Sequence, residues 1–216
     1  MARLRVGVLI SGRGSNLQAL IDACAGPDYP AEIALVISNN AAAEGLARAA
    51  KARVPTRAIE QREFATRESF EGALDRALRE RDIELVCLAG FMCVLTPGFV
   101  AAWRDRLINI HPSLLPAFRG LNTHERALAA GVRLHGCTVH FVGGEVDAGP
   151  IIVQAAVPVL PDDDAATLAA RVLAAEHRCY PLAVKLIAQG RVRVAEGRVR
   201  IDGTKAPGAA LLNPPD

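Results

Sequence analysis

A short apolar run over residues 4–10 breaks into Ser11-Gly12-Arg13-Gly14-Ser15-Asn16, after which Leu17, Leu20, Ile21 and Cys24 recur at helical spacing. This strand, glycine turn and helix constrain the chain more than any other feature in it. A strand that feeds directly into a helix returns to its sheet as a parallel neighbour, and helices then cover both faces. The pattern repeats. Residues 33–38 are a second apolar run, followed by an Ala-rich helix over 41–53 and a short third strand over 56–59. Thr66 opens an amphipathic helix with Phe70, Leu74 and Leu78 on one face. Residues 83–88 read as a buried strand, and Thr96-Pro97 sets a cap before a first-turn proline, starting a helix to about Arg106. The expected fold is α/β, a mostly parallel twisted sheet with helices on both faces.

The later residues change character. Asn122 and Glu125 have the spacing of a capping box, which predicts a helix to Ala130. Strands over 134–142 and 151–159 are joined by a glycine-rich loop, 143–150, and make the sheet mixed toward its C-terminal half. Asp162, Asp163 and Asp164 start a helix with Leu168, Val172 and Leu173 on its apolar face. Pro181 kinks or divides that helix before it resumes to about Gln189. Residues 191–201 alternate about Glu196-Gly197 as a terminal hairpin. One domain is expected over 1–203, with a flexible tail over 204–216.

Composition excludes several classes. The 25 basic and 23 acidic residues leave a net charge of +2, and no basic run argues for a nucleic-acid partner. Five cysteines without CxxC spacing read as reduced thiols. Residues 4–10 are too short for a signal peptide, and no apolar run reaches membrane-spanning length. A cytoplasmic protein acting on small molecules, with no membrane partner, is the expectation.

The chemistry concentrates in residues 107–120. Leu107 to Ile110 form a short strand, and His111 stays extended because Pro112 follows it. Asn109 and His111 therefore share a face, aiming an amide and an imidazole at the point where the strand gives way to a proline-stiffened loop. Taken alone, Asn-x-His at a strand end equally fits a helix cap or a partner for buried carbonyls. The turn at 11–16 favours a single anion on the amides of Gly14, Ser15 and Asn16 and on the Ser15 hydroxyl. A dinucleotide fits worse, since Leu17 stands where the third glycine belongs and the second strand ends in Ser38-Asn39-Asn40 without an acidic residue. Asp147 reads first as a turn residue before Ala-Gly-Pro. Were its loop to meet His111 at the sheet edge, the carboxylate would favour the imidazolium. His124 and His135 read as surface or capping residues. His135 and His140 fall on opposite faces of their strand, so no metal site is expected.

Three segments, LISGRGSNLQALI, LINIHPSLLPAFRG and GCTVHFVGGEVDAGPIIVQ, are together similar to the phosphoribosylglycinamide formyltransferase family, the folate-dependent enzymes of purine synthesis. The resemblance runs from about Leu4 to Gly203. Asn-x-His-Pro-Ser-Leu-Leu-Pro is shared across enzymes of the Rossmann-like formyltransferase fold, while the turn at 11–16 and Thr123-His124-x-x-Ala127-Leu128 narrow it to this family. The resemblance implies that Asn109, His111 and Asp147 are catalytic, and that Gly14, Ser15, Asn16 and Glu176 bind the ribonucleotide. It assigns Arg67, Met92, Cys93, Val94, Leu95, His140, Gly143, Gly144, Glu145 and Val146, with Asn109 and Asp147, to the folate side. Cys93 stands where the family commonly has Arg; main-chain contacts there survive the change, and an arginine side chain's contribution is absent. The implied reaction passes a formyl group from 10-formyltetrahydrofolate to the amine of 5-phosphoribosylglycinamide, without a covalent nucleophile or a metal. A hydrolase of formyltetrahydrofolate would use the same three residues without the phosphate turn. A transferase acting on initiator tRNA would require a sizeable RNA-binding domain after the sheet, and a non-catalytic nucleotide-binding module is a third reading. A homodimer is left open.

Overall fold

Strands β1 (Leu4–Ile10), β2 (Ala31–Ser38), β3 (Thr56–Ala58), β4 (Leu85–Leu88), β5 (Leu107–His111), β6 (Leu134–Phe141) and β7 (Ile151–Pro158) form a sheet in the order β3-β2-β1-β4-β5-β6-β7. They are seen in a computed structural model that describes residues 2–203, 212 and 213. From β3 through β5 every neighbouring pair is parallel, and β6 and β7 add on antiparallel. The expected α/β class and the mixed C-terminal half are both found. The chain lays β2 and β3 on one side of β1 and then crosses to place β4 on the other. The strand order therefore reverses between β1 and β4, and it is beyond the C-terminal ends of strands at such a reversal that α/β sheets bind ligands.

Helices α1 (Ser15–Cys24), α2 (Glu44–Lys51), α3 (Arg67–Arg79), α4 (Pro97–Ala102), α5 (Thr123–Ala129) and α6 (Ala165–Ala188) cover the sheet. Alternation along β1 decides which face each side chain serves. Val6, Val8 and Ile10 enter a core with Leu17 and Leu20 of α1 and Val172 and Val184 of α6. Leu9 enters the opposite core with Phe70, Leu74 and Leu78 of α3. Each such large side chain, fully buried, contributes about 1.5–3 kcal/mol. Trp103 closes the second core: its indole N–H donates to Asp75 Oδ1 at 2.9 Å, and the guanidinium of Arg106 lies 4.9 Å from the ring centre.

α6 anchors the first core. The hydroxyl of its fully buried Tyr180 donates to Leu88 O at 2.9 Å and lies 3.3 Å from Ile108 O, tying the end of β4 to the start of β5. Asp164 caps this helix in a reciprocal box with Thr167. Among the described residues no helix is long and apolar enough to cross a membrane.

Several local expectations change. Pro181 does not divide α6, which runs unbroken through it, and Pro181 O accepts the Tyr29 hydroxyl at 2.7 Å. α2 begins at Glu44 rather than 41, because Asn40 N–H donates to Ser38 Oγ and Ala42 N–H to Asn40 Oδ1, holding a turn that competes with the helix. α4 ends at Ala102, and Asp105 at φ 58° swings the chain into β5. The capping box at Asn122 does not form. Asn122 takes a left-handed φ of 54°, and its side chain makes no capping hydrogen bond. His135 is buried rather than at the surface, packed edge-on against Phe118 and His124. The terminal hairpin is present as β8 (Val192–Ala195) and β9 (Arg198–Ile201). Of the tail expected from Thr204, only Leu212 and Asn213 are described, and Asn213 Nδ2 donates to Val159 O at 3.1 Å.

Candidate functional site

The end of β5 supplies Asn109 and His111, and sheet register brings them a partner that spacing alone does not. β5 and β6 are antiparallel, with Asn109 directly opposite His140. The Asn109 amide nitrogen lies 3.4 Å from His140 Nε2. His140 Nδ1 faces Phe141 O at 2.8 Å. A carbonyl only accepts, so Nδ1 carries a proton, while Nε2 lies between the Asn109 amide and the Asp147 carboxylate.

Asp147 arrives from the loop between β6 and β7. Its Oδ2 lies 3.3 Å from His111 Nδ1, and its Oδ1 lies 3.7 Å from His140 Nε2. Gly120 N–H donates to Oδ2 at 2.9 Å. Burial raises the Asp147 pKa, but bonds from His140 and Gly120 and the charge of His111 outweigh it, so the carboxyl sits below its ordinary value. On its other side His111 Nε2 faces Phe118 O at 3.0 Å. His111 therefore meets an acceptor at each ring nitrogen, and only the doubly protonated imidazolium satisfies both. The Asp147 backbone holds φ 52°, a conformation few non-glycine residues adopt. Gly149 makes that loop possible: a Cβ there would lie 1.8 Å from Phe141 O.

The phosphate-type turn lies at the end of β1. Gly14 takes φ 71°, and a Cβ on it would meet the Cα of Gly45 at 2.7 Å, so glycine is required twice over. Gly14 offers no side-chain cap, which leaves the first amides of α1 open at a helix N-terminus. Asn16 Nδ2 donates to Glu176 Oε2 at 2.7 Å, joining α1 to α6. Burial raises the Glu176 pKa, and the bond from Asn16 acts against that rise.

Residues 92–95 follow β4 along the same edge. Met92 and Val94 are exposed, and so is Val146 in the Asp147 loop, leaving apolar side chains uncovered on two loops. Cys93 Sγ lies 3.5 Å from Gln61 Oε1, and burial keeps it a thiol. Arg67, at the start of α3, is exposed and near enough to Cys93 to act on it electrostatically. Glu145 is exposed with its carboxylate 3.9 Å from Arg119, while Gly143 and Gly144 have no side chain to place. The main-chain groups of Phe118 and Gly120, and Ser11 and Glu71 described below, carry no sequence signal. They are ordinary loop, strand-end and helix residues until the sheet assembles.

Residues 4–184 match a family described as formyl transferase. A phosphoribosylglycinamide formyltransferase of Haemophilus influenzae is 43 % identical over 97 % of this chain and 99 % of its own. A trifunctional purine biosynthetic protein adenosine-3 of Homo sapiens is 53 % identical over 90 % of this chain, which spans 19 % of that relative's length. A crystal structure of glycinamide ribonucleotide transformylase 1 from Symbiobacterium toebii superposes with a TM-score of 0.90, at 48 % identity over 92 % of this chain and 94 % of that one. A formyltetrahydrofolate deformylase from Pseudomonas syringae superposes with a TM-score of 0.85 at 26 % identity, covering 92 % of this chain and 66 % of that one.

Proposed function

The chain belongs to the formyl transferase family, and from that premise we propose that it moves a formyl group from 10-formyltetrahydrofolate to the amine of 5-phosphoribosylglycinamide. The step belongs to de novo purine synthesis. The products are the N-formyl ribonucleotide and tetrahydrofolate. The observation that carries the reading is the contact chain Asn109–His140–Asp147–His111, set on the same sheet edge as the turn over 11–16.

The amine nitrogen attacks the formyl carbon directly. The resulting tetrahedral centre carries negative charge on oxygen until the bond to the folate nitrogen breaks. Asn109 donates an amide N–H to that oxygen. His111, held as imidazolium between Asp147 and Phe118 O, brings positive charge beside it. The proton released by the amine ends on the departing nitrogen, and His111 is the group placed to relay it. The amides of Gly14, Ser15 and Asn16 hold the phosphate, and Glu176, joined to Asn16, completes the ribonucleotide site. Met92, Val94 and Val146 gain cover when the pteridine enters, with residues 143–147 and His140 along its other side and Arg67 and Cys93 at its rim. Both substrates are soluble small molecules, which supports a cytoplasmic setting.

The runner-up is hydrolysis of the same folate to formate, favoured only by the likeness to the deformylase. Incubating the protein with 10-formyltetrahydrofolate, with and without the ribonucleotide, separates the two. Transfer that requires the ribonucleotide is expected. Formate release in its absence, at a comparable rate, overturns the assignment.

A further inference from the structure

Residues 92–95 are held at both ends by side chains from elsewhere in the fold. At the far end the buried Glu71 carboxylate of α3 accepts from Thr96 N–H at 2.7 Å and from the Thr96 hydroxyl. At the near end Met92 N–H donates to Ser11 Oγ at 2.7 Å. Between these clamps Cys93 and Leu95 rest against the second core, while Met92 is 75 % exposed and Val94 61 % exposed, so half of the loop has no packing of its own. The Ser11 contact extends the sheet. Ala89 N–H donates to Leu9 O at 2.9 Å and Ser11 N–H to Gly90 O at 3.1 Å, the last main-chain links between these strand ends. One residue further on, the Ser11 hydroxyl takes over from the backbone.

Ser11 also opens the turn that leads to Gly14, Ser15 and Asn16. That turn is fixed on its other side, where Gly45 N–H donates to Gly12 O at 3.0 Å. One side chain thus joins the segment assigned to the sugar phosphate with the segment assigned to the pteridine, across the point where the strand order reverses.

We propose that Ser11 is a positioning residue that couples the two ligand sites. The inference rests on the function proposed above. A ribonucleotide seated on residues 14–16 orders the turn, and the Ser11–Met92 bond passes that order to residues 92–95, so the folate then has less loop freedom to remove. Coupling of this kind is reciprocal, so each ligand tightens the other by the same factor.

The test uses a pair that cannot react: phosphoribosylglycinamide and tetrahydrofolate, which has no formyl group to give. Tetrahydrofolate is titrated calorimetrically into the full chain with and without saturating ribonucleotide, and the ratio of the two Kd values is the coupling. A ratio of about two- to tenfold is expected for the parent, the worth of one net hydrogen bond. Ser11→Ala brings it to near one, and Ser11→Thr, which keeps the hydroxyl, restores it. Ser11→Cys, with a weakly accepting thiol, serves as the second variant if Ser11→Ala does not fold, and it lowers the ratio too. A purely structural role would weaken both affinities and leave the ratio intact. A parent ratio of one, or a parent-like ratio in the folded variants, overturns the coupling. Formyl transfer by the parent is assayed alongside. Absence of transfer overturns the proposed function, whereas transfer with an unchanged ratio overturns the coupling alone.

Discussion

Replacing Asp147 by asparagine tests the proposed chemistry where the geometry is most demanding. Its carboxylate stands 3.3 Å from His111 Nδ1, with 10 % of the side chain exposed. Two unit charges at that separation attract by about 5 kcal/mol at an effective dielectric constant of about 20. Desolvation of both groups offsets much of this, so the net worth of one charge-assisted hydrogen bond, about 1.5–3 kcal/mol, is the better measure. Asparagine keeps an oxygen for Gly120 N–H and tolerates left-handed backbone well, so the turn at φ 52° survives. Asp147→Asn is therefore expected to lower kcat by about 10- to 150-fold. The KM for the ribonucleotide should stay within about threefold, because that ligand is assigned to the segment over 14–16 and to Glu176. Steady-state kinetics at saturating folate reads both quantities, and a thermal melt within about 2 °C of the parent establishes that the fold is intact. A folded variant with kcat within about threefold of the parent refutes the reasoning. So does a loss confined to the KM for the ribonucleotide.

Three further outcomes are expected. Asn109→Ala removes an oxyanion donor and lowers kcat by about 100- to 1000-fold, and a loss below about tenfold in the same kinetics assigns the amide another role. His135 is buried, and desolvation, with His124 adding to it, pushes its pKa down from 6.5 to about 4. Because the folded value lies below the unfolded one, the stability that neutral His135 contributes is fully present above pH 6.5 and is lost as pH falls toward 4. About 2 kcal/mol should be gone by pH 5, and the urea midpoint of His135→Gln should fall less between pH 7 and 5 than that of the parent. Tyr180→Phe leaves the carbonyls of Leu88 and Ile108 without their hydroxyl partner and should cost about 1–2 kcal/mol in urea unfolding, with m unchanged.

The parts of the fold legible in the sequence are those set by neighbouring residues. Thr66 and Thr96-Pro97 announce α3 and α4, since a cap acts within one turn, and the apolar runs announce the strands. Asn122 shows the limit of such reading. Its spacing to Glu125 is right for a box, but a left-handed backbone carries the side chain off the helix start. His135 misleads for a different reason. Strand alternation marks one polar face, yet β6 is buried on both. In the site, Asn109 and His111 are readable because a strand and a proline fix their common face. The contact of His140 with both Asn109 and Asp147 is not, because it depends on β6 pairing antiparallel with β5 in one particular register. The Ser11–Met92 bond spans 81 positions in sequence and exists only once β1 and β4 lie side by side.

The reversal of strand order between β1 and β4 has a consequence for remodelling the molecule. The turn over 11–16, assigned to the formyl acceptor, and Asn109 and His111, assigned to the exchange, hang from separate strand ends, with α6 reaching both through Glu176 and Tyr180. A new acceptor can therefore be sought by rewriting the turn over 11–16 and its contact with α6, while Asn109, His111 and Asp147 are left as they stand. The two tasks form detachable modules bolted to one chassis, and Ser11 is where a designer would have to keep them in step.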